Sequence, residues 1–211
     1  MDEMRSFAMK LHTREQAPRQ GEAEAPKDAP AWAPSRAGYL RFLAESRVVY
    51  AAFEEIVAAA PAPFLATLRD TGLERVAAID ADLAAAAARW GDAPPAAAPD
   101  GPGARYAARL RELAATNAPA FTCHFYNFYF AHTAGGRMIG AQVAKACLEG
   151  WVGDFYKWDG DVKSMLNEVR ARLNAAAEGW SREEKDACLN ETPATFGASG
   201  ELLRLIGSGG D

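Results

Sequence analysis

FTCHFYNFYFAHTAGGRMIG, residues 121–140, is a densely aromatic stretch that runs into two adjacent glycines and then continues with helix-forming residues. Each glycine inside a helix costs roughly 0.5–1 kcal/mol relative to alanine, so Gly135 and Gly136 weaken an otherwise continuous helix. A glycine pair also removes side chains from one part of the helix surface and lets the backbone bend. Two hypotheses follow: a large flat ligand lies against the main chain here, or another helix crosses it closely.

The composition is that of a single domain with a sizeable core. The chain has 211 residues, of which 49% are hydrophobic and 24% charged, so we expect one domain over residues 1–211. No apolar run reaches the roughly 18–20 residues needed to cross a bilayer, and residues 1–10 carry too many charges for a signal peptide. The net charge of −5 argues against nucleic-acid binding.

Cysteine usage gives a hint about the redox environment. Cys123, Cys147 and Cys188 are odd in number, far apart in the sequence and not in a CxxC pair. This pattern argues against a disulfide framework or a zinc site and indicates a reducing compartment.

Hydrophobic periodicity predicts an all-α fold. Met4, Phe7, Ala8 and Leu11 recur at helical spacing, so the first helix should run to about Gln16. No segment has the alternation of a β-strand. The proline- and glycine-rich segments 18–34 and 91–103 are predicted surface loops. Capping residues place further helix starts at Thr71 (with Glu74), Asn117, Asp161 and Ser181 (with Glu184).

Only three histidines are present: His12, His124 and His132. No HExxH motif or recurrent Glu-x-x-His pair occurs, so a zinc or di-iron helical site is poorly supported. A lone histidine on a helix is more often a hydrogen-bonded structural residue than a ligand. His12 shares a helical stripe with Arg5 and Gln16, so its Nε2 can bind an iron while the Gln16 amide oxygen accepts from Nδ1.

Other polar residues each have a structural and a functional interpretation. The Tyr126 hydroxyl needs a partner if it is buried, and Arg170 or Arg172 either faces solvent or holds a carboxylate. Pro193 should kink or interrupt the last helix.

A group of basic residues either binds an acidic partner protein or is simply solvated. The group comprises Arg5, Lys10, Arg14 and Arg19, with Lys145 and Lys157 as further candidates.

Taken together, eight segments in order resemble the plant and algal plastid type of haem oxygenase. They are AMKLHT (8–13), GYLRFL (38–43), TGLER (71–75), FTCHFYNFYFAHTAGGRMIG (121–140), FYKWDG (155–160), NEVRARLN (167–174), SREEK (181–185) and SGELLRLI (199–206). AHTAGGRMIG and FYKWDG are the specific ones, and the match spans nearly the whole chain.

The resemblance implies a single-domain helical fold that holds haem between a proximal helix and a glycine-kinked distal helix. It implies oxidation of haem b, which is both substrate and cofactor, at the α-meso carbon to biliverdin IXα, ferrous iron and carbon monoxide for bilin synthesis. Reduced ferredoxin, an acidic protein, would supply the electrons in the chloroplast stroma. We expect a monomer that binds neither nucleic acid nor a membrane.

The resemblance also assigns roles to individual residues. His12 matches the iron ligand, with Gln16 beside it. Gly135 and Gly136 match the distal glycines, and His132 stands where animal and bacterial relatives carry an aspartate, which leaves open whether it organises a distal water or only makes room for one. The residues that match the rest of the haem surroundings are Arg5, Tyr126 and Arg170 at the propionates and Phe196 in the pocket wall.

Two rival functions fit the same scaffold. A non-catalytic haem or tetrapyrrole carrier is one, as some plant relatives lack the proximal histidine, and the presence of His12 argues against it. A helical enzyme of similar fold that acts without haem, of a thiamin-degrading or di-iron type, is the other. The lack of a recurrent acidic and histidine ligand set argues against a di-iron member.

Overall fold

The computed structural model describes residues 1–14, 20–24, 32–59, 63–91 and 93–207. Within these ranges the only β pairing is an isolated bridge between Thr13 and Ala23, so the predicted all-α fold is confirmed. No helix in these ranges combines the length and the apolar character that a bilayer span requires. The described part of the chain forms ten α-helices: α1 Asp2–Lys10, α2 Arg36–Ala59, α3 Pro63–Ala66, α4 Val76–Trp90, α5 Pro102–Thr116, α6 Ala118–Ala131, α7 Arg137–Cys147, α8 Val162–Ala176, α9 Arg182–Asn190 and α10 Thr192–Gly207.

Helix α2 is the centre of the packing, because α4, α5 and α10 all lie against it. Its Phe53 is fully buried. The Phe53 ring meets four rings of α6 at centroid distances of 5.6–5.9 Å, those of Phe121, Phe125, Phe128 and Tyr129. Most aromatic residues of the opening stretch therefore form the core, where burial of each large ring contributes most to stability.

Three of the predicted helix starts are confirmed by their capping bonds. The Asn117 side chain accepts from the Ala120 N–H at 3.1 Å and opens α6. Asp161 accepts from the N–H groups of the first turn of α8. Ser181 and Glu184 form a reciprocal capping box at α9.

The predicted cap at Thr71 is wrong by four residues, because Arg75 occupies the cap position and α4 begins at Val76. Thr71 and Glu74 do bond to each other. The free N–H groups of the helix start, those of Arg75 and Val76, instead donate to Glu54 of α2 at 2.8 and 3.1 Å. A carboxylate from a distant helix thus takes the place of the local cap.

Helix α1 ends at Lys10 rather than near Gln16, so His12 lies in the turn just beyond its C-terminus. The carbonyls of Lys10 and His12 accept from the N–H groups of Glu22 and Ala23 at 3.0 and 3.1 Å. Because the returning chain satisfies these acceptors, the helix gains nothing by continuing.

Pro193 interrupts the last helical stretch as predicted. Helix α9 ends at Asn190, and α10 restarts at Thr192 with Pro193 in its first turn. Proline is tolerated there because the N–H groups of a first turn have no helical acceptor.

Candidate functional site

The two adjacent glycines lie in a π-helical turn, His132–Gly136, that joins α6 to α7. Such turns are single insertions in an α-helix that bend it and frequently mark functional sites. A Cβ added to Gly135 would meet nothing within 4 Å. At Gly136 the same atom would lie 2.9 Å from Nδ1 of His132. Gly135 therefore borders open space, whereas Gly136 makes room for a neighbouring ring.

The surface around Gly135 is exposed and combines small residues with one large apolar side chain. Ala131, Ala134 and Gly135 are exposed, and Met138 is 68% exposed although it is a large apolar residue. By contrast, residues 120–130 of α6 are all buried. An exposed apolar stretch of helix of this kind is a candidate contact surface for a broad apolar ligand.

The third glycine, Gly140, has a packing role. A Cβ there would lie 2.6 Å from the ring of Tyr156. Of the two initial hypotheses, close approach therefore explains Gly136 and Gly140, while only Gly135 leaves space for a ligand.

His132 is buried and its ring is fixed by the loop of residues 153–160. Its Nε2–H donates to the Phe155 carbonyl at 2.8 Å, since a carbonyl can only accept. The ring stacks on that of Phe155 at a centroid distance of 4.0 Å. Burial lowers the pKa of His132 to about 3. His132 is thus a neutral side chain that joins the bend to the loop.

This pKa predicts a pH-dependent stability. The unfolded chain takes up a proton near pH 6.5 and the folded chain only near pH 3, so the unfolded state binds more protons between these values. The free energy of unfolding should therefore fall as the pH is lowered through this window, with a loss on the order of 2 kcal/mol from His132 at pH 5. Urea unfolding at pH 7 and pH 5 measures it.

The matched variant for this measurement is His132→Gln, which keeps a donor for the Phe155 carbonyl and cannot titrate. Burial also lowers the pKa of His124, so some pH dependence should remain in the variant. An equal change in unfolding free energy for both proteins would contradict the assignment.

Two residues that the sequence did not single out hold this loop in place. Asp82 of α4 is 2% exposed and accepts from the N–H groups of Asp154 and Phe155 at 2.6 and 2.9 Å. Arg75 lies over the Trp158 ring at 4.6 Å and donates to the Lys157 carbonyl. In the sequence, Asp82 could have been noticed as an acidic residue within the alanine-rich segment of α4.

One ring nitrogen of His12 makes a hydrogen bond, and the other can bind a metal ion. Its Nδ1–H donates to the Ala8 carbonyl at 2.9 Å, which fixes the tautomer and leaves the lone pair on Nε2. The predicted partner of Nδ1 was Gln16, which lies outside the described residues, so the role of Gln16 stays a prediction. The His12 ring meets Phe196 of α10 edge-on at a centroid distance of 5.2 Å, so these two predicted residues are neighbours.

Tyr126, Arg170 and Arg5 form a second group. Burial raises the pKa of the Tyr126 hydroxyl, and the positive charges of Arg170 and Arg5 oppose the shift. The Arg170 guanidinium lies 4.8 Å from the Phe130 ring centroid and donates to Asn167. Arg172, the other candidate, donates to the carbonyl of Arg69 at 2.8 Å. Arg172 therefore has a structural contact and is not assigned to a ligand. Two arginines beside a tyrosine suit carboxylate groups of a ligand.

The described contacts do not join His12 directly to the glycine bend. Two cavities of about 320 and 330 Å³ lie elsewhere, one beside Glu54 and Tyr129 and the other beside Met4 and Cys188. Neither is lined by His12 or Gly135. The two predicted faces of the site thus come from separate elements, the end of α1 and the α6–α7 bend.

The described residues contain no cluster of three histidine, cysteine or acidic side chains fit to hold a bare metal ion. An imidazole whose lone pair is on Nε2, an exposed apolar helix surface and a cationic group for carboxylates suit an iron ion that is bound within a macrocycle. The fold and these groups therefore fit a helical haem protein.

Comparison with known proteins identifies the family. The family described as Heme oxygenase matches residues 7–204. The chain is 48% identical to "Heme oxygenase 1, chloroplastic" of Oryza sativa subsp. japonica, over 98% of this chain and 70% of the relative. It is 45% identical to the Arabidopsis thaliana protein of the same name, over 98% and 73%.

A solved structure supports the fold. Heme oxygenase-1 from the cyanobacterium Synechocystis sp. PCC6803, crystallised in complex with heme, superposes with a TM-score of 0.65 at 22% identity, over 81% of this chain and 77% of that one. The chain belongs to the haem oxygenase family. It is an enzyme that binds haem and degrades it.

Proposed function

We propose that the chain binds haem with Nε2 of His12 on the iron and oxidises it to biliverdin IXα, ferrous iron and carbon monoxide. The observation that carries this proposal is the hydrogen bond from His12 Nδ1 to Ala8, which leaves Nε2 as the available donor. Bound haem supplies the iron that activates O₂ and is also the molecule that is oxidised.

The chain's own contribution at His12 is to orient the imidazole. A backbone carbonyl is a weaker acceptor than a carboxylate, so it fixes the ring without making it strongly anionic in character. Phe196, edge-on to the ring, limits its rotation. These two contacts support His12 as the iron ligand and Phe196 as a wall of the haem site.

Gly135 provides the opposite wall in this proposal. Its position faces open space, so a macrocycle and a small molecule above it find no side chain in the way. The bend at residues 132–136 changes the direction of the helix without placing a large side chain at Gly135. Gly136 acts indirectly, since it makes room for His132.

His132 keeps this wall in position and contributes no charge. Its Nε2–H is committed to the Phe155 carbonyl, and its low pKa keeps the ring neutral at physiological pH. Of the two roles left open by the sequence, these contacts support the one in which His132 only makes room for a distal water.

Arg5, Tyr126 and Arg170 orient the substrate in this proposal. Haem carries two propionates on one edge, and pairing with arginine is charge-assisted and directional. Holding that edge determines which meso carbon faces the glycine bend. The selection of the α-meso carbon is thus a matter of positioning.

We further propose that reduced ferredoxin supplies the electrons and that the protein works in the chloroplast stroma. The names of the plant relatives support a plastid. Arg5 and Arg14 are exposed near His12 and suit an acidic partner. Lys10 pairs with Glu22 at 3.5 Å and Lys157 with Asp154 at 2.9 Å, so these two attract a partner less strongly. Arg19 lies outside the described residues.

Turnover with purified components tests this function. Haem titration should give a one-to-one complex, and addition of ferredoxin, its reductase and NADPH should yield the IXα isomer as the main biliverdin on chromatography. The rate should fall as salt rises from low to physiological concentration, because screening weakens docking of oppositely charged surfaces. A spectral complex without any biliverdin would favour the carrier hypothesis.

A further inference from the structure

A short segment of the chain, residues 20–24, folds back against His12, and we call it the return segment. The N–H group of Ala23 donates to the His12 carbonyl at 3.1 Å. Ala23 also forms the parallel bridge with Thr13, the residue after His12. The backbone of His12 is therefore held by a contact outside its own helix.

The return segment has no room for a side chain at its second residue. Gly21 is buried, although Gln20 and Glu22 on either side of it are exposed. A Cβ on Gly21 would lie 2.6 Å from the His12 carbonyl oxygen and closer still to that of Thr13. Carbon and oxygen atoms in such contacts are normally roughly 3.3 Å or more apart. Gly21 does not have a positive φ, so this position requires glycine for space and not for backbone conformation.

His12 is held on both sides of its Cα atom. Its N–H donates to the Met9 carbonyl at 3.3 Å and its Nδ1–H to the Ala8 carbonyl at 2.9 Å, so α1 fixes the amide and the ring. The His12 carbonyl is fixed instead by Ala23 of the return segment. A shift of the return segment therefore changes the direction of the His12 backbone relative to α1, and with it the direction of Nε2.

The ion pair between the two segments contributes little to their approach. Lys10 and Glu22 lie 3.5 Å apart, and their side chains are 59% and 65% exposed. Ion pairs this exposed contribute at most about 1 kcal/mol. The backbone hydrogen bonds that Glu22 and Ala23 donate to α1 and His12, together with the close approach at Gly21, therefore determine the separation.

We propose that the return segment is a positioning element for the iron ligand, and that Gly21 is the residue that sets the position of His12. The proposal rests on the proposed function, in which Nε2 of His12 binds the haem iron. A methyl group at Gly21 separates the two segments by on the order of 0.7 Å, the difference between 2.6 Å and a normal contact. Altering a group that orients a metal ligand changes metal affinity or activity by roughly 10–100-fold.

The haem-free Gly21→Ala variant tests the positioning directly. Long-range ¹H–¹⁵N NMR spectra at pH 8 report the tautomer of each histidine, and the wild type should carry the proton of His12 on Nδ1. In the variant the His12 nitrogen signals should move toward those of a tautomer mixture, because the bond to the Ala8 carbonyl weakens. The signals of His124 and His132 should stay in place. Unchanged His12 signals, or equal changes at all three histidines, would overturn the proposal.

The haem complex of the same variant gives a second readout. The iron–histidine stretching frequency in resonance Raman spectra of the ferrous complex should shift, and turnover should fall by roughly 10–100-fold. A wild-type frequency would contradict the proposal. If His12→Ala leaves the haem spectrum unchanged, the proposed ligand is wrong, whereas the NMR spectra of haem-free Gly21→Ala still decide whether the return segment positions His12.

Two further variants complete the test. Gly179→Ala makes the same change at a glycine whose added Cβ would meet nothing within 4 Å, and it should match the wild type in both kinds of spectra. Ala23→Pro removes the N–H that donates to the His12 carbonyl and leaves Gly21 in place, so it should shift the His12 signals as Gly21→Ala does. If Gly21→Ala does not fold, Ala23→Pro decides, and wild-type His12 signals in it would exclude the return segment as a positioning element.

Discussion

Replacing His12 by alanine is expected to lower haem turnover by more than about 100-fold, the upper range of losses from changing only a ligand's hydrogen-bond partner. The protein should still fold, because His12 lies beyond the end of α1 and is only half-buried. The ferric haem spectrum should lose the features of a histidine ligand. Absorption spectroscopy of the haem complex and chromatography of the product measure both effects.

Added imidazole provides the control for this variant. It should enter the space left by the side chain and restore the ligand-dependent spectrum, since the haem surroundings remain. Thr13→Ala, one residue further in the same turn, should leave the spectrum unchanged. A His12→Ala protein with wild-type spectrum and turnover would exclude His12 as the iron ligand.

The second large effect is expected for Gly135→Leu. The new side chain extends into open space, so the fold should be retained, and replacing a helical glycine should change the unfolding free energy by at most about 1 kcal/mol. The same side chain would lie on the surface assigned to haem. Displacing a reactant by about 1 Å can cost on the order of 100-fold in rate, and we expect a loss of that size in biliverdin formation. Steady-state turnover and thermal unfolding together measure it.

Gly136→Ala is the matched comparison, since it changes the adjacent glycine by only one methyl group. Its Cβ would lie 2.9 Å from Nδ1 of His132, and the ring cannot move away because it stacks on Phe155 and bonds to its carbonyl. We therefore expect a loss of about 1–3 kcal/mol in unfolding free energy. If Gly135→Leu unfolds like Gly136→Ala, or turns over haem like wild type, the open surface is not the haem wall.

Much of the helical framework follows from local sequence. Asn117, Asp161 and Ser181 begin their helices because each side chain satisfies N–H groups within its own first turn. Pro193 marks the α9–α10 break for an equally local reason, its missing N–H. The order of the eight family-like segments also pointed to the correct family.

The errors occur where a distant group competes with a local one. The capping pair Thr71–Glu74 does not open α4, because Glu54 of α2 takes the N–H groups. The first helix stops at Lys10, because residues 22 and 23 return and occupy its carbonyls. Neither competitor is visible in a window of ten residues.

By itself the sequence determined the all-α class, most of the helices, the haem oxygenase family and the residue types that the chemistry needs. Only the tertiary structure decided how those residues are held: the partner of His12 Nδ1, the different surroundings of Gly135 and Gly136, and the neutral state of His132. The physical reason is that a cap or a stripe acts within a few residues. Desolvation, ring stacking and space for a ligand depend on groups that only folding brings together.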